Sequence, residues 1–193
     1  MKKSVRLAKW VGIIGVAINT LSIAHAQKKL DISYSATQLI ETVPGPFSNK
    51  IFISPQKERQ DASLGGAIVS TIIRHDKGVA WLLIPSSKQY QEIDIKSVES
   101  ASVHALLDQQ NKLELGREQW HNFLVTKFAI YKANESVPTW LWVSEQGILL
   151  KAEIPQNDDI GRPKATILLT DIEIGKQEDH LFELPMGYTK FEK

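Results

Sequence analysis

Short runs rich in β-branched and aromatic residues, punctuated by turn residues, make up most of the chain, and that pattern predicts strands. The runs are Leu30–Thr42, Asn49–Ser54, Lys57–Ala62, Ala67–Arg74, Val79–Ile84, Gln89–Ile93, Lys112–Arg117, Phe123–Lys132, Thr139–Ser144, Ile148–Ile154 and Ala165–Ile174. Val43-Pro-Gly-Pro46, Leu64-Gly-Gly66, Asp76-Lys-Gly78, Pro85-Ser-Ser87 and Glu145-Gln-Gly147 break them, and Gln156–Pro163 is a longer polar loop. Gly78 suits the positive φ of a tight turn. About ten or eleven strands at spacings near 8–12 residues suggest a sandwich or barrel. Neighbours joined by such short turns pair antiparallel.

Two runs break the expected alternation. In Val79–Ile84, Val79, Trp81 and Leu83 point one way and Ala80, Leu82 and Ile84 the other, so both faces are apolar. Thr139–Val143 repeats this, with Trp140 and Trp142 on one face and Leu141 and Val143 on the other. A sheet with one wet face alternates apolar and polar, so these central strands need cover on both sides.

One segment has a helical period. Lys96–Leu107 places Val98, Ala101 and Ala105 on one side, with Asp94 or Ser97 as candidate caps. At about 1.5 Å per residue it spans about 18 Å, too little to cover so many strands. Either the sheet closes on itself, or part of its apolar surface faces a cavity or a partner. The tail, Leu181–Tyr188, is short and apolar enough to dock.

The first 26 residues read as a secretory signal peptide. Lys2, Lys3, Arg6 and Lys9 form a basic start, Val11–Ala24 is mostly apolar, and Ala24-His-Ala26 has the small-x-small form of a cleavage site. The apolar stretch is shorter than the roughly 20 residues of a spanning helix. Cleavage leaves one domain, residues 27–193. It also removes four of the 23 basic residues, leaving 19 against 22 acidic ones and a net charge of −3. No basic patch dominates, which argues against nucleic acid as a partner. The absence of cysteine excludes disulfides, thiolate metal sites, cysteine nucleophiles and a lipid-anchored cysteine. The expected location is the periplasm.

The order of several motifs resembles the LolA/LolB-like family, closest to its uncharacterised periplasmic branch of outer-membrane lipoprotein-sorting proteins. Asp76, Trp81, Pro85, Tyr90 and Glu92 match an Asp-x-x-x-x-Trp strand, a Pro turn and a Tyr-x-Glu strand. Pro138–Glu153 looks like the family's Trp-bearing strand, Gly turn and Leu-x-Lys strand, and Leu181–Phe191 like its Phe-x-Leu-Pro-x-Gly-Tyr close. The resemblance implies a mainly β fold: one curved antiparallel sheet forming an unclosed half-barrel, with one main helix as a partial lid. It also implies an apolar cavity holding a lipid acyl chain or lipoprotein, and an inner- or outer-membrane protein as a further partner. The amphipathic N-terminal helix of the carriers has no counterpart, because the chain passes from Gln27 directly into strand-like sequence. Arg59 and Arg74 both compete for the carrier's lid-holding arginine, and neither is assigned.

Ile73, Trp81, Leu83, Tyr90, Trp140 and Trp142 are the candidate ligand wall, with core packing as the alternative reading. Val98, Ala101 and Ala105 are the candidate lid. An acyl chain of about fourteen CH₂ groups gains on the order of 11 kcal/mol on burial, before ordering costs. Asn157-Asp-Asp-Ile-Gly161 lacks the ligand spacing of a calcium loop and reads as a solvated turn. His75, His104, His121 and His180 are scattered, with no His-Glu-x-x-His or Gly-x-Ser-x-Gly. Neither a catalytic role, a metal nor a cofactor is expected. Three hypotheses stand: a carrier or binder of acyl chains, a structural or envelope-sensing interaction module without an open cavity, and an enzyme on the same scaffold.

Overall fold

A computed structural model describes residues 32–191, apart from 44, 99–101 and 133–134. The signal-peptide assignment and Ala101 lie outside the described residues. The described chain forms one twelve-stranded sheet. Its strands are β1 (Tyr34–Thr42), β2 (Phe47–Ser54), β3 (Lys57–Leu64), β4 (Ala67–Arg74), β5 (Val79–Ile84), β6 (Gln89–Ile93), β7 (Lys112–Trp120), β8 (Phe123–Ile130), β9 (Thr139–Ser144), β10 (Leu149–Ile154), β11 (Ala165–Ile174) and β12 (Thr189–Lys190). Their spatial order is β12-β6-β5-β4-β3-β2-β1-β11-β10-β9-β8-β7. β12 and β7 are the two edges, so the sheet is unclosed.

Two features differ from the sequence expectation. The sheet is antiparallel except at β12, which pairs parallel to β6 through Thr189 and Gln89. The single helix is two short ones, α1 (Ile95–Val98) and α2 (Val103–Leu107). Ser102 explains why helix starts afresh there. Its backbone is extended (φ −77°, ψ 131°), and its Oγ accepts the Ala105 N–H, as an N-cap does. Asp94 performs the same task for α1, accepting the Lys96 N–H at 3.0 Å. Serine favours such a local bond over a helix interior, so Ser102 interrupts one continuous rod.

Residues directly opposite across a strand pair share a face. One face therefore carries the ladder Tyr34, Ile53, Glu58, Ile73 and Ala80 across β1 to β5. All five are buried, and α2 sits over them. The main core runs on from this ladder through Ala36 and Ile51 to Ile167, Ala152, Leu141 and Ile130.

The other face carries Phe52, Arg59, Ile72 and Trp81 across β2 to β5. The tail covers it. A 3₁₀ turn at Asp179–Phe182 inserts Phe182, fully buried, among Ile72, Trp81 and Leu83, with Leu181, Leu184 and Tyr188 around it. Arg59 donates to the Leu181 carbonyl at 3.1 Å and Arg74 to the Phe182 carbonyl at 3.2 Å. Arg74 also forks onto Asp76 (2.8 and 2.6 Å) and bonds Glu183, which Lys77 meets at 3.1 Å. The second apolar face of β5 is thus covered by the protein's own last turn.

Candidate functional site

The apolar surface beyond the tail's reach lies on β7–β10. Cross-strand register there places Lys151, Trp142 and Lys127 side by side on β10, β9 and β8. Lys127 Nζ lies 4.8 Å from the Trp140 ring centre and 4.5 Å from that of Trp142. Lys151 Nζ lies 4.9 Å from Trp120 and 4.5 Å from Trp142. An ammonium held over an indole face is attracted by the ring quadrupole while its stem covers apolar surface. The Trp142 N–H donates to Glu118 Oε1 at 2.5 Å. Between two lysine stems and this carboxylate, Trp142 is left 4% exposed.

Beside this stack, the tip of the β7–β8 hairpin meets β10 and β11 around a cleft of about 390 Å³. Trp120, Phe123, Leu150, Leu168 and Ile172 supply its apolar wall, and His121, Thr170 and Asp171 its polar border. This volume falls within the roughly 300–1,000 Å³ of small-molecule sites, which pair an apolar wall with a few polar groups. Trp120 packs on Trp142 at 6.2 Å between ring centres, which ties the cleft to the lysine–indole stack. Two border residues hold left-handed backbone, His121 (φ 49°) and Asp171 (φ 50°). That conformation is uncommon outside glycine; the two-residue β7–β8 turn requires it at His121, as the β2–β3 turn does at Gln56. A smaller depression of about 230 Å³, lined by Glu135–Val137 and Gln156–Asp159, is polar and lies at the other end of the strands.

The six residues of the sequence-derived wall do not come together. Ile73 belongs to the helix-bearing face, opposite Glu58. Trp81, Leu83 and Tyr90 lie on the other face, under the tail. Trp140 and Trp142 share that other face but sit on β9, seven strands along the sheet from β5. Of the lid candidates, Val98 ends α1 and Ala105 lies in α2, both half-buried. Trp120 and Phe123, which flank the His121-Asn122 turn, were absent from the wall. Their signal in the sequence is a pair of aromatics bracketing a two-residue turn, which puts both at a hairpin tip.

A second cluster, buried under α2, centres on Glu58. Its carboxylate accepts from Ser102 Oγ (2.5 Å), the His104 N–H (2.9 Å), the Val103 N–H (3.1 Å) and His75 Nε2 (3.2 Å). The His104 ring meets the Ser54 carbonyl at 3.1 Å and packs edge-on to His75, 5.1 Å between centres. Burial pushes the Glu58 carboxyl up. The His75 hydrogen bond, the nearby His104 ring, Ser102 and the His104 amide outweigh it and hold the group below its usual value. His104 is pushed down, first by burial and then by His75, against the pull of Glu58. Ser102 is fully buried, caps α2 and donates to Glu58, so its oxygen is not presented to a substrate. The arrangement anchors a helix to the sheet.

No family model matches the chain, and no curated protein does. Solved structures do match. An uncharacterized conserved protein from Thermus thermophilus is 12% identical, with a TM-score of 0.61 over 86% of this chain and 94% of that one. MucB is 13% identical, with a TM-score of 0.52 over 83% of this chain. The chain shares its fold with MucB. It spans 60% of the MucB chain, and 56% of the matched chain in the Pseudomonas aeruginosa MucA/MucB complex. A putative outer membrane lipoprotein-sorting protein domain from Vibrio parahaemolyticus is also among the matches, 11% identical with a TM-score of 0.39.

Proposed function

We propose that the protein is a non-catalytic binding protein of the periplasm that holds the acyl chain of a lipid or acylated protein in the Trp120–Phe123 cleft. The observation that carries this reading is an apolar cleft of about 390 Å³, backed by a fixed indole stack. Each CH₂ buried there contributes about 0.8 kcal/mol, and binding and release need no reacting group. His121, Thr170 and Asp171 border the cleft, where they meet the polar end of an amphiphile. The leader-like N-terminus and the fold shared with MucB support a place in the envelope.

Calorimetric titration with myristate tests it. The protein binds with saturable heat, and Leu168→Arg, which puts a charge on the apolar wall, removes that heat while the thermal melt stays cooperative. Absence of heat with the parent protein, or equal heat with Leu168→Arg, overturns the reading.

A second reading, a module that binds a membrane-associated partner protein without a lipid, draws on the β7 edge. β8 is the one strand paired with β7 among the described residues, and Leu113 and Leu115 on it are exposed. An extended segment adds to such an edge by main-chain bonds. MucB has been solved in complex with MucA(peri), which gives this reading a precedent on the same fold. Pull-down of an envelope protein that survives Leu168→Arg but is lost on Leu115→Pro favours it.

A further inference from the structure

The large apolar side chains that stay exposed are unevenly placed along the strands. β1, β3, β5, β8 and β10 end at one end of the sheet, where β2, β4, β9 and β11 begin. At that end, Val43, Phe47, Ile68, Tyr131, Val137 and Ile160 are each between 45% and 77% exposed. They stand at the β1–β2, β3–β4, β8–β9 and β10–β11 connections. The turns of the opposite end, Pro55-Gln56, His75–Gly78, His121-Asn122 and Glu145–Gly147, are polar, although Ile174 and Leu124 are exposed toward it. The sheet therefore has an apolar rim and a polar rim.

Apart from the polar depression between Glu135–Val137 and Gln156–Asp159, the exposed apolar side chains of this rim stand on four separate connections. Scattered tips of this kind fit a fluid surface that closes around each of them. Exposed Lys88, Lys132 and Lys164 lie in the connections of the same end. They complement anionic headgroups near such a surface. Tyr131 suits the headgroup level, where amphipathic rings are enriched. Asp158 and Asp159, which precede Ile160, and exposed Glu41 just before Val43 oppose the lysines, so apolar insertion has to supply most of the attraction.

We propose that this rim docks reversibly on an anionic lipid bilayer, with Val43, Phe47, Val137 and Ile160 entering the boundary between headgroups and acyl chains. The rim shares no residue with the Trp120–Phe123 cleft, which opens beside the polar His121-Asn122 turn. The protein would then touch a membrane with one end while the cleft stays open at the other.

Co-sedimentation with vesicles tests the rim independently of the cleft, using protein secreted with its own leader. Vesicles of phosphatidylethanolamine with phosphatidylglycerol should carry the protein down, and phosphatidylcholine vesicles should carry less. The double substitution Val43→Asp/Ile160→Asp weakens binding roughly tenfold, whereas Ile174→Asp at the other end leaves it unchanged. Lys132→Glu/Lys164→Glu also lowers binding, with the thermal midpoint unmoved, which guards against a rim variant that misfolds. The proposal is overturned if the parent protein stays in the supernatant, if the rim variants sediment as the parent does, or if Ile174→Asp weakens binding equally. Loss of myristate binding by Leu168→Arg with vesicle binding intact separates the two sites.

Discussion

Glu58 is the residue on which the helix side of the sheet turns. A fully buried carboxylate is costly unless its charge is met, and here four donors meet it, two of them the first backbone amides of α2. The same charge helps push the Tyr34 phenol up, after burial. Glu58→Gln keeps the shape and removes the charge. It should lower stability by about 2–3 kcal/mol in urea unfolding. The pH dependence has a definite sign. His104 is held below its ordinary 6.5 and Glu58 below its ordinary 4.5, so the unfolded chain binds more protons than the folded one in both ranges. Stability should fall as pH drops below about 6.5, and fall further below about 4.5. Glu58→Gln should lose the second limb, and a melting series that rises on acidification would contradict the cluster as described.

Among the elements, the tail and the split helix show what a sequence pattern holds and what it withholds. Ala67–Arg74, Gln89–Ile93, Thr139–Ser144 and Ala165–Ile174 have the bounds their composition indicates, because β-branched runs between turn residues specify their own conformation. The tail's docking was legible too, since Leu181-Phe182 and Leu184 are too apolar to stay in water. Its seat was not, because Arg59 and Arg74 reach it from more than 100 residues away in sequence. The apolar stripe of Val98 and Ala105 indicates one continuous helix, whereas the Ser102 cap overrides that stripe locally. Phe182→Ala should cost about 3 kcal/mol or more, as truncation of a buried ring does. It should also shift tryptophan emission to longer wavelength as Trp81 loses its cover. An unchanged spectrum would show that the tail does not seal that face.

Across the whole molecule, two-faced apolar strands raised a question of cover, and the answer differs along the sheet. Near β5 the chain's own tail provides it. Near β9 two lysine stems and a glutamate provide it, so the indoles once grouped as one wall are separately packed. What is left open is the cleft at the β7–β8 tip. Trp120 could not be singled out from sequence, because its neighbours Leu150, Leu168 and Ile172 come from other hairpins and meet it only through the sheet's order. Quenching of tryptophan emission by a brominated fatty acid tests the cleft most directly, since bromine quenches only indoles it touches. Saturable quenching in the parent protein, lost in Leu168→Arg, is the expected result. Quenching that rises linearly without saturating, or persists unchanged in Leu168→Arg, would contradict an acyl chain seated against Trp120.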